Sequence, residues 1–285
     1  MDIDKLYNIF TTCGGKVATD SRKISGGELF FALKGENFDG NEYALKALEA
    51  GAAYAVVDKN SPVSAAAADE PRLIPVPDAI LALRALARYH RDRFAIPVLG
   101  LTGTNGKTTT KELINAVLSA RFRTHATCGN LNNNIGVPLT ILGMPADTEI
   151  AVIEMGASHP GDIKELVDIA APDFGLITNV GKGHLLGFGS FEGVKATKGE
   201  MYDFIAENGG GAGTVFINQD NPLLVDMATS RGFVTMPEGC AFDRAAFLGR
   251  DRRKSASKKL LAVPYGLHFS RARVLESDAA HPYLR

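Results

Sequence analysis

The stretch that decides the fold is residues 96–110, which read IPVLGLTGTNGKTTT. Its first six residues form an apolar run typical of a buried strand, and residues 107–119 place apolar side chains at helical spacing. A tight loop containing Gly103 and Gly106 lies between them. Strand, glycine loop, Gly-Lys-Thr and helix together form a phosphate-binding arrangement, because loop N–H groups and the positive end of a helix attract anions. The stretch therefore predicts nucleotide binding.

Within this loop, Lys107 is expected to reach the terminal phosphates of ATP, and the Thr108 hydroxyl is expected to be a ligand of Mg²⁺. The other predicted nucleotide-binding residues of the loop are Gly103, Thr104, Asn105, Gly106 and Thr109. The usual spacing G-x-x-x-x-G-K-[ST] is not met, because Leu101 stands where its first glycine would be. The alternative is a glycine turn followed by a surface lysine, but the flanking strand and helix favour the nucleotide site.

Size and composition describe an ordinary globular protein. The 285 residues can form one large domain or two ordinary ones, and 45% are hydrophobic and 22% charged. A net charge of -1 argues against nucleic-acid binding over the whole chain. No apolar run approaches the roughly 18 residues that span a membrane, and the first ten residues lack the pattern of a signal peptide. We therefore expect a cytoplasmic monomer with no membrane span.

The cysteines do not suggest a disulfide framework. Cys13, Cys128 and Cys240 are few and scattered, and no paired metal-ligand spacing surrounds them. We expect free thiols in a reducing compartment.

Strand-like and helix-like segments alternate along most of the chain, which predicts an α/β protein with mainly parallel sheets. Residues 1–94 are expected to form an N-terminal domain and residues 95–235 a central nucleotide-binding domain. Residues 61–71 and 128–138 are expected to be loops. Residues 236–285 carry clustered basic residues without a clear apolar period, and they are expected to form an irregular, poorly ordered tail.

Several polar residues follow predicted strands, where the sites of parallel sheets lie. Glu154 ends one apolar strand and suits a Mg²⁺ ligand, with a capping or solvated glutamate as the alternative. Asn179 and Asn218 end two further strands. His184 follows the strand that ends at Asn179, and Lys198 lies on the next predicted helix. Without their context, His184 would be interpreted as an ordinary hydrogen-bonded histidine and Lys198 as a surface lysine.

The loop TGTNGKTTT resembles the ATP site of the Mur ligase family, which also includes folylpolyglutamate synthases. The segments GNLNNNIGVPLT, EMGASHPGDI, TNVGKGHLLGFGSFEGV, KGE and VFINQDNP follow in the order typical of one branch of that family. This resemblance covers roughly residues 17–232. It implies an ATP-dependent ligase of peptidoglycan precursor synthesis, which joins D-alanyl-D-alanine to UDP-N-acetylmuramoyl-tripeptide through an acyl phosphate.

The resemblance also implies roles for individual residues. Glu154 and His184 would be Mg²⁺ ligands, and Lys198 would be a carbamylated lysine beside the metal. Asn218 and Asp220 would lie near the adenosine of ATP. The residues that would face substrate and phosphates are Asn130, Asn133 and Asn134. This chain has glycine at position 183, where family members usually have alanine.

The N-terminal region carries a second part of the resemblance. The turn Asp20-Ser21-Arg22 precedes ELFFALKGENFDGNEYALKALEAGAAYAVV, as in the UDP-binding domain of Mur ligases. Ser21 and Arg22 are therefore expected to contact the uridine diphosphate, and a guanidinium suits that role. Considered alone, the turn is more typical of a polar connection between strands. Asn41 stands where family members often have histidine.

Two alternatives remain open from the sequence. One is another ligase of the family, which would add diaminopimelate or lysine or would act on folate. The other is a non-catalytic nucleotide-binding fragment. Family members continue into a third domain, and the last fifty residues here do not resemble it. We therefore expect that domain to be missing or truncated and ligase turnover to be weak or absent.

Overall fold

Two parallel β-sheets organise the computed structural model, which describes residues 2–183, 185–208, 213–235 and 259–263. The strands of the first sheet, in spatial order, are β1 (Val17–Ala18), β2 (Leu29–Phe31), β3 (Tyr54–Asp58) and β4 (Leu73–Val76). The strands of the second sheet, in chain order, are β5 (Val98–Thr102), β6 (Thr124–Ala126), β7 (Ile150–Glu154), β8 (Phe174–Ile177), β9 (Thr214–Asn218), β10 (Val234–Thr235) and β11 (Lys259–Val263). Their spatial order is β10-β11-β9-β8-β5-β7-β6. All of these pairings are parallel, which confirms the α/β class predicted from the sequence.

Helices cover the sheets, as the alternating pattern predicts. They are α1 (Ile3–Thr12), α2 (Ala44–Glu49), α3 (Ala79–Arg91), α4 (Lys107–Ser119), α5 (Gly136–Leu142), α6 (Asp162–Ala170), α7 (Leu185–Phe188), α8 (Phe191–Asn208) and α9 (Pro222–Thr229). Short 3₁₀ helices occupy Ser21–Lys23, Gly40–Tyr43 and Pro62–Ala68. Every residue of β5 and β7 is buried, as expected for central strands of a parallel sheet that is covered on both faces.

Helix α3 joins the two sheets. Its side chains contribute to one apolar cluster that also contains residues of both sheets and of α5, α6 and α8. Arg84 forms an ion pair with Glu165 of α6 at 3.0 Å, and Arg88 donates to the backbone carbonyl of Asp168 at 2.7 Å. The buried Arg91 donates to the carbonyl of Ala170 at 2.9 Å. The boundary expected near residue 95 lies between α3 and β5, but α3 itself packs against both halves of the chain.

Two predicted loops contain helices. Residues 128–138 were expected to be irregular, yet α5 begins at Gly136. The side chain of Asn133 accepts hydrogen bonds from the N–H groups of Ile135 and Gly136, and Pro138 lies in the first turn, where an N–H group has no helical partner. The expected loop 61–71 contains the 3₁₀ helix Pro62–Ala68, and its proline is likewise at the start.

The predicted tail contributes a strand. Residues 259–263 were assigned to an irregular segment, but they form β11, which pairs with β9 along five residues and with β10 along two. Strand pairing between distant segments has no periodic signal of its own in the sequence. A short apolar run such as KLLAV therefore does not by itself predict a strand. His184, Cys240 and the rest of residues 236–285 lie outside the described residues.

Two simple expectations can be checked on the described part of the chain. Cys13 and Cys128 are free cysteines there, as predicted. None of the helices described is both long and apolar enough to cross a membrane.

Candidate nucleotide site

The phosphate loop connects β5 to α4 through two unusual glycine conformations. Gly106 has a φ of 76° and caps the N-terminus of α4, a left-handed conformation that glycine adopts without strain. Gly103 has a φ of 146°, and a Cβ atom there would collide with the Thr178 hydroxyl. Glycine is therefore required at position 103 for two reasons, its backbone conformation and the close approach of the neighbouring segment.

That neighbouring segment follows β8 and holds the loop in place. The backbone N–H of Thr104 donates to the Asn179 carbonyl at 3.0 Å, and the N–H of Asn105 donates to Asn179 Oδ1 at 3.1 Å. In return, Thr178 Oγ1 and Asn179 Nδ2 donate to the Asn105 carbonyl at 2.7 Å and 3.0 Å. These reciprocal bonds fix the shape of the loop against the segment after β8. The sequence predicts Asn179 only as a strand end. The structure shows that its backbone carbonyl and its side-chain amide both bond to the loop.

Lys107 folds back over the phosphate loop. Its Nζ donates to the carbonyls of Gly103 at 2.9 Å and Thr104 at 3.3 Å. Burial lowers the pKa of this ammonium, and the carboxylate of Glu154 acts in the opposite direction. The ammonium is thus held at the loop, without a close carboxylate partner among the described residues. A phosphate in the loop would offer it stronger, charged acceptors.

Glu154 ends β7 and is fully buried. Its Oε1 accepts hydrogen bonds from Thr108 Oγ1 at 3.2 Å and from Asn132 Nδ2 at 2.7 Å. Its Oε2 is buried and has no hydrogen-bond partner among the described residues. Since an unpaired buried carboxylate oxygen is costly, this atom points to a missing positive partner such as a metal ion.

Lys198 lies on α8 and is only 2% exposed. Burial and then the charge of Lys107 lower the pKa of its ammonium to about 8, whereas Asp162 and Glu200 act in the opposite direction. The ring of Phe188 covers it, with the ring centre 5.7 Å from Nζ. A lysine with this pKa has a substantial neutral fraction near neutral pH, and the neutral amine is the form that reacts with carbon dioxide.

Helix α8 is tied to the segment that follows Glu154. The two carboxylate oxygens of Glu200 accept hydrogen bonds from the N–H groups of Gly161 at 3.0 Å and Lys164 at 2.8 Å. A carboxylate at the start of α6 also complements the helix dipole. Glu200 therefore holds the helix that carries Lys198 against the loop between β7 and α6.

The predicted asparagines have different surroundings. Asn133 caps α5 through its side chain, whereas Asn130 and Asn134 are exposed. At the end of β9, Asn218 Oδ1 accepts from the N–H of Asp220 at 3.0 Å, which shapes the turn after that strand. Because β9 lies beside β8, which lies beside β5, this turn and the phosphate loop share the carboxyl edge of one sheet.

The predicted UDP-contacting turn lies in the first sheet's half of the chain. Asp20 caps the 3₁₀ helix Ser21–Lys23, and its carboxylate accepts from Arg22 Nε at 2.8 Å and Nη2 at 2.9 Å. This pairing lowers the pKa of Asp20 to about 2. The Arg22 side chain is 86% exposed, so it is presented to solvent from a fixed turn.

Asn41 is a buried hub of hydrogen bonds, which the sequence could not show. Its Nδ2 donates to Asp39 Oδ1 at 2.7 Å and to Asp58 Oδ2 at 2.9 Å, and its Oδ1 accepts from the N–H of Asp58 at 2.8 Å. Asp58 in turn accepts from the N–H of Ala79 at the start of α3. Asn41 thus connects the first sheet to the helix that joins both halves.

Three residues near Glu154 were not singled out from the sequence. Asn132 contacts its carboxylate, and Thr127 Oγ1 accepts the Glu154 N–H at 2.9 Å. The fully buried Lys111 donates to the Thr127 carbonyl at 2.6 Å. A lysine on an otherwise amphipathic helix gives no sequence signal for burial, and Asn132 is one of four asparagines in the run NLNNN.

A magnesium ion fits these residues only with help from a ligand. No three histidine, cysteine, aspartate or glutamate side chains converge on a metal position within the described ranges. The unpaired oxygen of Glu154 and the hydroxyl of Thr108 are nevertheless suitable hard-oxygen donors beside the loop. Mg²⁺ in proteins is commonly held by one or two carboxylates together with waters and substrate phosphates.

Comparison with known proteins finds relatives for most of the chain. The family model described as "Mur ligase middle domain" matches residues 101–259, and the model described as "Mur ligase family, catalytic domain" matches residues 16–91. The chain is 44% identical over 208 residues to the UDP-N-acetylmuramoyl-tripeptide--D-alanyl-D-alanine ligase of Bacillus subtilis (strain 168), covering 73% of this chain and 44% of that protein. It is 42% identical over 205 residues to the ligase of that name from Escherichia coli (strain K12), covering 72% and 43%.

Two solved structures are also similar to the structure of this chain. The crystal structure of MurF from Acinetobacter baumannii superposes with a TM-score of 0.67 at 35% identity, covering 75% of this chain and 46% of that one. The MurF ligase of Thermotoga maritima in complex with ADP superposes with a TM-score of 0.66 at 33% identity, covering 76% and 48%. This chain therefore spans less than half the length of each of these four proteins.

Proposed function

The chain belongs to the Mur ligase family, and on that premise we propose that it binds MgATP and UDP-N-acetylmuramoyl-tripeptide for the addition of D-alanyl-D-alanine. The named ligases from Bacillus subtilis and Escherichia coli, at 44% and 42% identity, support this substrate pair over that of other ligases in the family.

One observation carries the proposal: a glycine loop held by hydrogen bonds and two buried charged side chains, Glu154 and Lys198, occupy neighbouring positions. Lys107 lies at the loop, and it interacts electrostatically with both Glu154 and Lys198. This combination suits a nucleotide triphosphate with a metal ion, because phosphate charge is then neutralised from several sides. A phosphate loop alone would support nucleotide binding but no particular chemistry.

In the proposed reaction, an oxygen of the tripeptide's terminal carboxylate attacks the γ-phosphorus of ATP, and the bond to the β–γ bridging oxygen breaks. ADP leaves, and an acyl phosphate remains. The amine of D-alanyl-D-alanine then attacks the acyl carbon, phosphate leaves, and the nitrogen loses a proton. Most of the protein's contribution to such steps is positioning and charge stabilisation.

Each residue of the site would have a separate role in binding the nucleotide and the metal ion. The N–H groups of the phosphate loop and Lys107 would hold the terminal phosphates, and Lys107 would stabilise charge on the transferred group. Thr108 and Glu154 would hold Mg²⁺, which neutralises phosphate charge when it is bound. Carbamylated Lys198 would contribute an anionic oxygen at the same place, and His184 is a further proposed ligand outside the described residues. Asn218 and Asp220 would lie near the adenosine.

Substrate binding is proposed for two further segments, the turn at Ser21 and Arg22 and the loop before α5. Ser21 and Arg22 would contact the uridine diphosphate, since the exposed guanidinium on its fixed turn suits a diphosphate. Asn130 and Asn134 would face the substrate from the loop before α5. Asn133 can do so only with its amide group, because its side-chain oxygen already caps α5.

The direct test incubates the 285-residue chain with UDP-N-acetylmuramoyl-tripeptide, D-alanyl-D-alanine and MgATP, and measures the UDP-linked pentapeptide by mass spectrometry. Parallel reactions replace the tripeptide and dipeptide with UDP-N-acetylmuramoyl-dipeptide and diaminopimelate or lysine. Calorimetry measures the binding of each nucleotide separately. Pentapeptide formation supports the proposal, a product in the parallel reaction supports another ligase of the family, and binding of both nucleotides without any product supports a non-catalytic binding role.

A further inference from the structure

Asn132 has a different position from the other asparagines of its loop. Its Nδ2 donates to Glu154 Oε1 at 2.7 Å, the shorter of the two hydrogen bonds that this oxygen accepts. Its backbone carbonyl accepts the N–H of Gly156 at 2.7 Å. Asn132 therefore contacts both the side chain of Glu154 and the backbone two residues after it.

Asn132 packs closely against Gly156. A Cβ atom added at position 156 would lie 3.0 Å from Asn132 Oδ1 and 3.1 Å from its Cγ. Such a contact is tighter than most, so an alanine there would push the asparagine side chain aside by a few tenths of an ångström. Unlike Gly103, Gly156 does not have a positive φ, so the close approach of Asn132 is the constraint there.

The two groups that donate hydrogen bonds to Glu154, the Thr108 hydroxyl and the Asn132 amide, differ in whether they can also bind a cation. The Thr108 hydroxyl has one proton and two lone pairs, so it can donate to Glu154 and still ligate a cation. The Asn132 amide nitrogen can only donate, so it cannot be a metal ligand through that atom. It can, however, fix the rotation of the carboxylate with Oε1 engaged and the unpaired Oε2 presented.

A second set of contacts fixes the backbone of Glu154. Lys111, which is fully buried, donates to the Thr127 carbonyl, and Thr127 Oγ1 accepts the Glu154 N–H. With the main chain already held there, the remaining freedom of Glu154 is in its side chain. Asn132 removes that freedom.

We infer that Asn132 is a positioning residue for the metal ion of the nucleotide complex, acting through the carboxylate of Glu154. The inference rests on the proposed function, because it concerns the same MgATP site. Partners that orient a metal-binding side chain typically change metal affinity by about tenfold to a hundredfold when they are removed. Asn132 should therefore affect the metal-dependent part of nucleotide affinity and leave the metal-independent part unchanged.

The test measures binding of the non-hydrolysable ATP analogue AMP-PNP to the full chain by calorimetry. Titrations are made over a series of Mg²⁺ concentrations and in EDTA. Asn132→Ala removes the amide donor, and Gly156→Ala leaves Asn132 in the chain but displaces it. Cys128→Ala is the matched control, because Cys128 is an exposed residue of the same loop. Thermal unfolding of each variant measures its stability separately.

In Asn132→Ala, we expect the Mg²⁺ concentration that gives half-maximal enhancement of AMP-PNP binding to rise by about tenfold to a hundredfold, with unchanged affinity in EDTA. Gly156→Ala should shift that concentration in the same direction by a smaller factor, because it moves the amide donor without removing it. The control should match the unsubstituted chain. Unaltered Mg²⁺ dependence in Asn132→Ala would overturn this inference but not the proposed function. An equal loss of affinity with and without Mg²⁺ would also overturn it, since Asn132 would then act on loop shape. If the unsubstituted chain shows no Mg²⁺-dependent binding, both this inference and the proposed function are wrong.

Discussion

Replacing Lys107 by methionine tests the phosphate loop most directly. Methionine keeps an unbranched side chain of similar length and removes the ammonium. In the structure, Nζ donates to the loop carbonyls of Gly103 and Thr104, and in the proposed complex it would turn to phosphate oxygens. Hydrogen bonds to charged groups contribute about 1.5–3 kcal/mol. We expect a loss of about 2–4 kcal/mol in ATP binding, or roughly thirtyfold to a thousandfold in affinity.

The fold should tolerate this change. Burial holds the pKa of Lys107 below its ordinary value of 10.5, so the charged ammonium is less favourable in the folded protein than in the unfolded chain. Methionine removes that unfavourable contribution, and it also removes two hydrogen bonds of about 0.5–1.5 kcal/mol each. These effects oppose each other, and the free energy of unfolding at pH 7 should therefore change little.

The sign of the pH dependence provides a second measurement. Between the folded-state pKa of Lys107 and 10.5, the unfolded chain binds more protons at this residue than the folded protein does. The Lys107 contribution to stability therefore rises with pH in that window, and it is absent in Lys107→Met. Urea unfolding at several pH values measures this difference. The exposed Lys46 of α2, which has no ion-pair partner among the described residues, provides the control Lys46→Met.

Calorimetry with ATP and with AMP-PNP then decides the outcome. Wild-type affinity in a folded Lys107→Met variant would refute the assignment of the loop as a phosphate site. Loss of affinity together with loss of the cooperative unfolding transition would show instead that Lys107 is needed for the fold. The Lys46→Met control should retain both affinity and stability.

Three further predictions concern other parts of the chain. Lys198, with a pKa of about 8, should form a carbamate that ¹³C NMR detects with labelled bicarbonate, and its occupancy should rise from pH 6 to pH 9 as the neutral amine becomes more abundant. Asn41→Ala should lower the free energy of unfolding in urea by about 2–4 kcal/mol, because the half-buried groups of Asp58 lose their partners. Arg22→Ala should weaken binding of UDP-N-acetylmuramoyl-tripeptide in calorimetry by about tenfold and leave the melting temperature unchanged, since an exposed ion pair adds little stability.

Each of these has a matched control and a contrary result. For the carbamate, Lys198→Ala should abolish the labelled signal, and a signal that persists would show that it arises elsewhere. Asn208→Ala, at the end of α8, is the control for Asn41→Ala, and equal stabilities of the two variants would contradict the buried hub. For Arg22→Ala, the control is the equally exposed Lys5→Ala on α1, and unchanged substrate affinity would show that the uridine diphosphate site lies elsewhere.

Much of the fold was predictable because its signals are local. The apolar runs of β5 and β7 indicate buried strands wherever they occur, and the alternation with helical spacing predicts parallel sheets. Gly103 and Gly106 mark a loop whose backbone conformations glycine favours, and Lys107 follows at the helix start. Family resemblance in the same segments predicted the relatives that the comparisons confirmed.

The amino-acid sequence by itself determined the α/β class, the glycine loop between β5 and α4 and the strand end at Glu154, because each depends on residues close together in the chain. The tertiary structure alone decided which asparagine of the run NLNNN contacts Glu154, how deeply Lys198 is buried, and that β11 lies between β9 and β10. These features depend on contacts between segments distant in sequence. Four neighbouring asparagines have nearly the same local pattern, and only the packing of the loop against β7 directs Asn132, and not its neighbours, to the carboxylate.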